Sequence, residues 1–125
     1  MVEERDVRES DHPDIDAWRR RIDVIDQQLM RLLNSRSACA VEVGRIKRAA
    51  GLPVYNPDRE AAVLERVMRE NPGPLEPTAV KRVFERIIDE SRRLERLAAD
   101  DAIVAATRAE EPPRETSVEE KKEQG

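Results

Sequence analysis

The sequence predicts an all-α fold, and three observations support that prediction. The chain has 125 residues, few glycines and only 2% aromatic residues, a composition that suits aliphatic helical cores and argues against a β-sheet. Apolar residues recur in steps of three and four along three segments, which is the spacing of one helical face. Segments rich in proline and glycine separate these stretches. We therefore expect three helices, the first much the longest.

The first helix is predicted from about residue 15 to residue 50. Its stripe consists of Ile15, Trp18, Ile22, Ile25, Leu29, Leu32, Cys39, Val43 and Ile46. Arg36 interrupts this stripe, and a buried charge is costly unless something pairs with it. Lys47 follows eleven residues later, almost on the same face and roughly 16 Å along the axis. Both side chains could reach a small anion held between them.

The length of this helix predicts an obligate oligomer. No proline interrupts the chain between Asp14 and Leu52, so the helix would be roughly 50 Å long. A compact domain of about 85 residues has a radius of gyration near 12 Å, so the stripe would need cover from partner chains. We expect Asp11 or Asp14 to cap the helix. Trp18 is interpreted as a core or subunit contact and Cys39 as a small core residue.

The remaining helices are bounded by clear turn signals. Gly51 is expected to end the first helix, and Asn56 to cap a second helix that starts at Pro57 and ends near Asn71. Pro77 opens the third helix. The apolar faces are Val63, Leu64, Val67 and Met68 in the second helix, and Val80, Val83, Phe84, Ile87, Ile88, Leu94 and Ala98 in the third.

Two polar residues, Ser91 and Glu95, continue the apolar line of the third helix. Like Arg36, they suggest a polar pocket inside a helical bundle. The alternative is that Ser91 is a tolerated small residue and Glu95 an exposed acid at the edge of the stripe.

The sequence divides into a flexible N-terminal segment 1–13, a helical domain 14–106 and a disordered charged tail 107–125. The net charge of −4 argues against a nucleic-acid surface. No apolar run has membrane length, and the charged N-terminus does not resemble a signal peptide, so a cytoplasmic protein is expected. His12 is the single histidine, and we expect no metal or cofactor. No nucleophile–base motif and no glycine-rich phosphate loop is evident.

Five segments together resemble the all-α chorismate mutases. They are WRRRIDVID (18–26), LLNSR (32–36), AVEVGRIK (40–47), VYNPDRE (54–60) and IIDES (87–91). The resemblance covers about residues 14 to 100. It implies an intertwined homodimer of three helices per chain, with two sites built from both chains. It also implies the pericyclic rearrangement of chorismate to prephenate, which needs neither a nucleophile nor a metal.

The resemblance assigns cationic roles to four residues. Arg36 resembles a carboxylate-binding arginine of its own subunit, and Arg19 the arginine that reaches into the partner's site. On charge alone Arg19 would be a surface residue, as Arg20 and Arg21 are expected to be. Arg59 resembles a further positive group near the other carboxylate. Lys47 resembles the lysine that donates to the ether oxygen and a carboxylate.

The other matched positions are polar. Glu60 resembles the acid that accepts from the ring hydroxyl, and Ser91 a small polar contact to a carboxylate. Asn56 stands where Asp is common and can still cap and hydrogen-bond. Glu95 stands where bacterial relatives often have Gln and fungal ones Glu, facing the ether oxygen. An ionised Glu95 could only accept, so we hypothesise that full activity needs the protonated acid.

The sequence is also compatible with other functions. The same fold serves isochorismate–pyruvate lyase, and a 4-amino-4-deoxychorismate mutase is conceivable because Glu60 would face the differing substituent. A non-catalytic helical dimer, used for interaction or regulation, is the alternative of another class. The positions of Arg36 and Glu95 on apolar stripes argue against that last alternative. The sequence does not decide whether a larger pathway enzyme binds and activates this chain.

Overall fold

A computed structural model describes residues 12–109, and these residues form three helices. They are α1 (Pro13–Ala49), α2 (Pro57–Glu70) and α3 (Pro77–Ala109). The all-α prediction and the order of the helices are thus confirmed. No helix in this range is long and apolar enough to span a membrane. Most of the predicted segments 1–13 and 107–125 lies outside the described residues.

The two ends of α1 are set by backbone hydrogen bonds. The carbonyl of His12 accepts from the N–H groups of Ile15 and Asp16, at 3.0 and 3.3 Å. The helix therefore begins at Pro13, and the expectation that Asp14 caps it is wrong because Asp14 lies inside the first turn. There its charge still favours the positive end of the helix. The other candidate cap, residue 11, lies outside the described range.

Gly51 ends α1 as expected. Its φ of +72° is a left-handed conformation that side chains disfavour. The N–H of Gly51 donates to the carbonyl of Arg48 at 3.2 Å, and that of Leu52 to the carbonyl of Lys47 at 2.8 Å. This pair of bonds is a Schellman motif, which satisfies carbonyls that the helix leaves unpaired.

The predicted cap of α2 is confirmed. The Oδ1 atom of Asn56 accepts from the backbone N–H of Arg59 at 3.1 Å, and Pro57 occupies the first turn. After α2, the side chain of Asn71 donates to the carbonyl of Leu75 at 2.7 Å and accepts from the N–H of Gly73 at 3.2 Å. Asn71 thereby organises the turn towards α3.

The helix α3 extends three residues beyond the predicted end near Ala106. The hydroxyl of Thr107 donates to the carbonyl of Ile103 at 3.0 Å, so the helical backbone continues there. A helix needs no apolar face to complete its last turn, which explains why the apolar pattern ends earlier than the helix does.

The small core lies between α2 and α3, which pack against each other. Val63 and Ile88 are its buried apolar side chains, at 3% and 6% exposure. Beside them Ser91 is 5% exposed, so a polar side chain lies within this core. In α1 the buried residue is Gly44, which has no side chain.

The apolar stripe of α1 is exposed along most of its length, from Ile15 to Ile46. Trp18 is 64% exposed, so it makes no core contact within its own chain. Cys39 is also exposed, and the expectation of a small core residue is wrong for the single chain. The exposure of Trp18 leaves the expected subunit contact as a prediction.

Candidate functional site

The predicted site residues are distributed over two compact units, whose boundary falls inside α1 after Cys39. The first unit carries Arg19, which is exposed, and Arg36, which is half-buried. The second unit carries the other six predicted residues. They are Lys47, Asn56, Arg59, Glu60, Ser91 and Glu95.

Among the predicted site residues of the second unit, Glu95 has the most clearly defined surroundings. It is half-buried on α3 and faces Gly44 of α1. A Cβ atom placed on Gly44 would lie 3.6 Å from both Cγ and Cδ of Glu95. That distance is an ordinary van der Waals contact, so the carboxyl group of Glu95 lies directly against the backbone of α1 at Gly44. The alternative that Glu95 is simply an exposed acid does not hold.

The surroundings of Glu95 act in opposite directions on its pKa. Burial raises the pKa above the ordinary value of a glutamate, because the carboxylate loses hydration. The positive charges of Lys47, Arg48 and Arg92 oppose this increase, and the negative charge of Glu60 adds to it. Burial outweighs the cations, so the net pKa is raised. The group is thus more readily protonated than an exposed glutamate.

Lys47 lies in the last turn of α1 and connects it to the following loop. Its Nζ donates to the carbonyl of Val54 at 3.4 Å, which is long for a hydrogen bond and therefore weak. An ammonium group has three donors, so this contact leaves protons that can be directed at a ligand. Lys47 and Glu95 are close enough for their charges to interact.

Glu60 belongs to a second charged cluster, which sequence analysis did not identify as a unit. The Nε of Arg92 lies 3.4 Å from Oε2 of Glu60, and another nitrogen of the same guanidinium pairs with Asp89. The Cζ of Arg92 lies 5.3 Å from the centroid of the Tyr55 ring, within the range of a cation–π contact. Arg92 directly follows the buried Ser91 in sequence.

The residues at the start of α2 have a clearer structural role than a binding role. The side-chain oxygen of Asn56 is used by the helix cap, and Arg59 supplies the backbone N–H that it accepts. The Arg59 side chain is exposed. The positive N-terminal end of α2 lies beside both.

Sequence analysis did not identify Gly44, Arg48, Tyr55 and Arg92 as members of the site. Arg48 and Arg92 were hidden by composition, because 40% of the residues are charged. The position of Arg92 next to Ser91 and three residues after Asp89 was a usable signal, since residues three apart are neighbours on a helix. Tyr55 could have been considered as the single tyrosine of the chain, in the loop before the Asn56 cap.

The arrangement is suited to binding anions and donating hydrogen bonds. Within residues 12–109, no cluster of His, Cys, Asp and Glu side chains could hold a metal ion. Lysine and a protonated glutamate both donate, and a lysine beside an acid of raised pKa suits a ligand oxygen that gains negative charge.

Comparisons with known proteins identify the family. The family model for chorismate mutase type II matches residues 18–96. A bifunctional chorismate mutase/prephenate dehydratase of Pseudomonas aeruginosa is 38% identical over 91 residues, which cover 69% of this chain and 25% of that protein. One from Neisseria gonorrhoeae is 41% identical over 78 residues, covering 62% of this chain and 21% of that protein. The chain thus spans about a quarter of the length of these relatives.

Solved structures agree with the sequence comparisons. Form II of the chorismate mutase from Thermus thermophilus superimposes with a TM-score of 0.65 at 35% identity, covering 66% of this chain and 94% of that one. Form I gives a TM-score of 0.62, also at 35% identity, covering 62% and 98%. The resemblance seen in the five sequence segments is therefore confirmed, and the chain belongs to the chorismate mutase type II family.

Proposed function

We propose that this chain catalyses the rearrangement of chorismate to prephenate, on the cytoplasmic route to phenylalanine and tyrosine. One observation carries most of the weight. A half-buried acid of raised pKa, Glu95, lies within electrostatic reach of Lys47 in a chain of this family. The Pseudomonas aeruginosa relative is named as a bifunctional enzyme that includes a chorismate mutase. This chain matches 25% of that protein's length, and the match supports the assignment.

The chemistry requires only positioning and electrostatic stabilisation. The rearrangement is intramolecular, and negative charge develops on the ether oxygen as the C–O bond breaks. Lys47 donates to that oxygen, and its charge offsets the developing charge. Protonated Glu95 supplies a second donor to the same oxygen, whereas the ionised form would repel it. Because these donors are fixed before the reaction, little reorganisation is needed in the transition state.

Other residues bind the two carboxylates and the ring hydroxyl of the substrate. Arg36 and Arg59 bind the two carboxylates, which a guanidinium can contact through two parallel hydrogen bonds. Ser91 adds a polar contact to a carboxylate, and Glu60 accepts from the ring hydroxyl. Asn56 preserves the cap of α2 and thereby the position of Arg59.

We also propose that the active form is a homodimer, with Arg19 donated to the partner's site. The support is the apolar stripe of α1, which the chain itself leaves exposed although apolar surface of this extent favours association. A second copy would cover it, and Trp18 would then become a subunit contact. The role of Arg19 in the partner's site is supported by the resemblance to the family, whose model matches residues 18–96.

The decisive experiment measures loss of chorismate absorbance with purified chain from pH 5 to pH 8, with the product identified. Prephenate formation is expected. Isochorismate, assayed in parallel with pyruvate detection, is expected to give no turnover. The Lys47→Met variant, assayed on chorismate at matched concentration, is expected to be slower by about a hundredfold or more. An absence of prephenate from a folded, dimeric sample at every pH would refute the proposal.

Adding a larger enzyme of the same pathway to the assay would test whether the chain needs an activating partner.

A further inference from the structure

The cluster around Arg92 joins three parts of the second unit through one guanidinium. Tyr55 lies in the loop after α1, Glu60 in the first turns of α2, and Asp89 one turn earlier on α3. The side chains of Arg92 and Glu60 are 36% and 23% exposed, so this ion pair is shielded more than a typical surface pair. Its strength is therefore less sensitive to salt than that of an open pair.

Arg92 is held in its charged form and in place. Hydrogen bonding to Asp89 raises its pKa, and the nearby charge of Glu60 acts in the same direction. The Tyr55 ring faces the guanidinium, which limits the directions in which the side chain can turn. A cation restrained on two sides can orient the third group, the carboxylate of Glu60.

The charge of this pair matters for the group that Glu60 would contact. Alone, an ionised Glu60 would attract a positively charged substituent more strongly than a neutral one. With Arg92 beside it, the positive charge offsets that of the carboxylate while the second carboxylate oxygen can still accept a hydrogen bond. A neutral hydroxyl suits this arrangement, whereas an ammonium group loses the attraction that an unpaired carboxylate would give it.

We propose that Arg92 is a positioning and specificity-determining residue, which orients Glu60 and favours a substrate with a hydroxyl over one with an ammonium group at the ring position Glu60 contacts. This inference rests on the proposed function, since it assumes that Glu60 faces that ring position. In this role Arg92 acts through Glu60 and does not contact the reacting atoms.

The test compares kcat/KM for chorismate and for 4-amino-4-deoxychorismate at pH 7. The ratio compared is kcat/KM for chorismate divided by kcat/KM for 4-amino-4-deoxychorismate. We expect Arg92→Gln to lower this ratio on the order of tenfold, because the charge that offsets Glu60 a few ångströms away is lost. Arg92→Lys, which keeps the charge, is expected to restore most of the ratio. Arg93→Gln is the matched control, because the exposed Arg93 is the next residue of the same helix and its loss should leave the ratio unchanged.

A second comparison tests whether Arg92 acts through Glu60. In a Glu60→Gln background, Arg92→Gln should cause no further change in the ratio, since the group that it orients has lost its charge. A ratio that stays within twofold of the wild-type value in Arg92→Gln would overturn the inference. So would equal effects of Arg92→Gln in the two backgrounds.

Two controls separate this inference from the proposed function and from loss of fold. Failure of the wild-type chain to convert chorismate refutes the function, whereas turnover with an unaltered ratio refutes the role of Arg92 alone. If Arg92→Gln does not fold by circular dichroism, Arg92→Met keeps the aliphatic stem beside Tyr55 and takes its place. Loss of fold in both variants would show a purely structural role and overturn the proposal.

Discussion

Replacing Glu95 by Gln should remove the main pH dependence of the reaction. In the wild-type chain we expect only the protonated acid to donate to the ether oxygen, so activity is full below the pKa of Glu95 and falls above it. Burial raises this pKa, so the decline begins at a higher pH than an exposed glutamate would give. Gln donates at every pH, and the Glu95→Gln profile should be flat over the same range.

The size of the effect follows from simple titration. Above its pKa, the protonated fraction of one group falls tenfold per pH unit, which corresponds to about 1.36 kcal/mol per unit. Losing one donor to a developing oxyanion typically costs about a hundredfold to a thousandfold. The wild-type rate should therefore decline over roughly two to three pH units before it levels off at the activity of the ionised form.

Substrate binding and nearby cations should shift the pH at which activity declines as Glu95 ionises. The bound substrate brings negative charge, which raises the pKa of a neighbouring acid, so the decline in kcat should lie at higher pH than the decline in kcat/KM. Arg48→Gln removes a charge that lowers the pKa of Glu95, and it should move both declines to higher pH.

The assay is the absorbance decrease of chorismate in buffers of constant ionic strength from pH 4.5 to pH 9. Circular dichroism at each pH ensures that activity is compared between folded samples. Superimposable profiles of the wild type and Glu95→Gln would refute the role of the protonated acid. A shift to lower pH in Arg48→Gln would refute the electrostatic account of its surroundings.

Three further predictions concern single positions. Lys47→Met should lower kcat on the order of a hundredfold or more in a chain that stays helical, measured by chorismate turnover and circular dichroism; a loss below tenfold would contradict its role as donor. Asn56→Ala should destabilise the fold by about 1 kcal/mol in urea unfolding, because the N–H of Arg59 loses its acceptor, while Asn56→Asp should retain the stability. Gly51→Ala should cost about 1–2 kcal/mol, since the φ of +72° strains any side chain although no atom lies within 4 Å; an unchanged midpoint would show that the turn relaxes.

The helices were predictable because their signals are local. Pro57 and Pro77 mark helix starts, and Gly51 marks an end, each through a backbone property that no other part of the chain can change. The start of α1 was less certain, since two acids, Asp11 and Asp14, were candidate caps, and the helix begins one residue before Asp14, at Pro13.

The candidate site was predicted only in part, since its geometry depends on contacts between helices. Periodicity identified Ser91 and Glu95 as polar interruptions, and the structure shows both at least partly buried. Arg92 escaped notice because its partners, Tyr55 and Glu60, are more than thirty residues away in sequence. Periodicity reports which face a residue occupies, and it carries no information on which helix lies opposite.

The burial of Gly44 has a consequence for how this protein behaves on dilution. Because the buried position of α1 is a glycine, this long helix fully buries no side chain in its own chain. A helix gains most of its stability in proteins from packing of an apolar face, so α1 would depend on surface supplied by another molecule. Stability would then be inseparable from protein concentration, and the melting temperature would rise as the solution becomes more concentrated. If the proposed homodimer forms, dilution would therefore unfold the chain by separating its two copies.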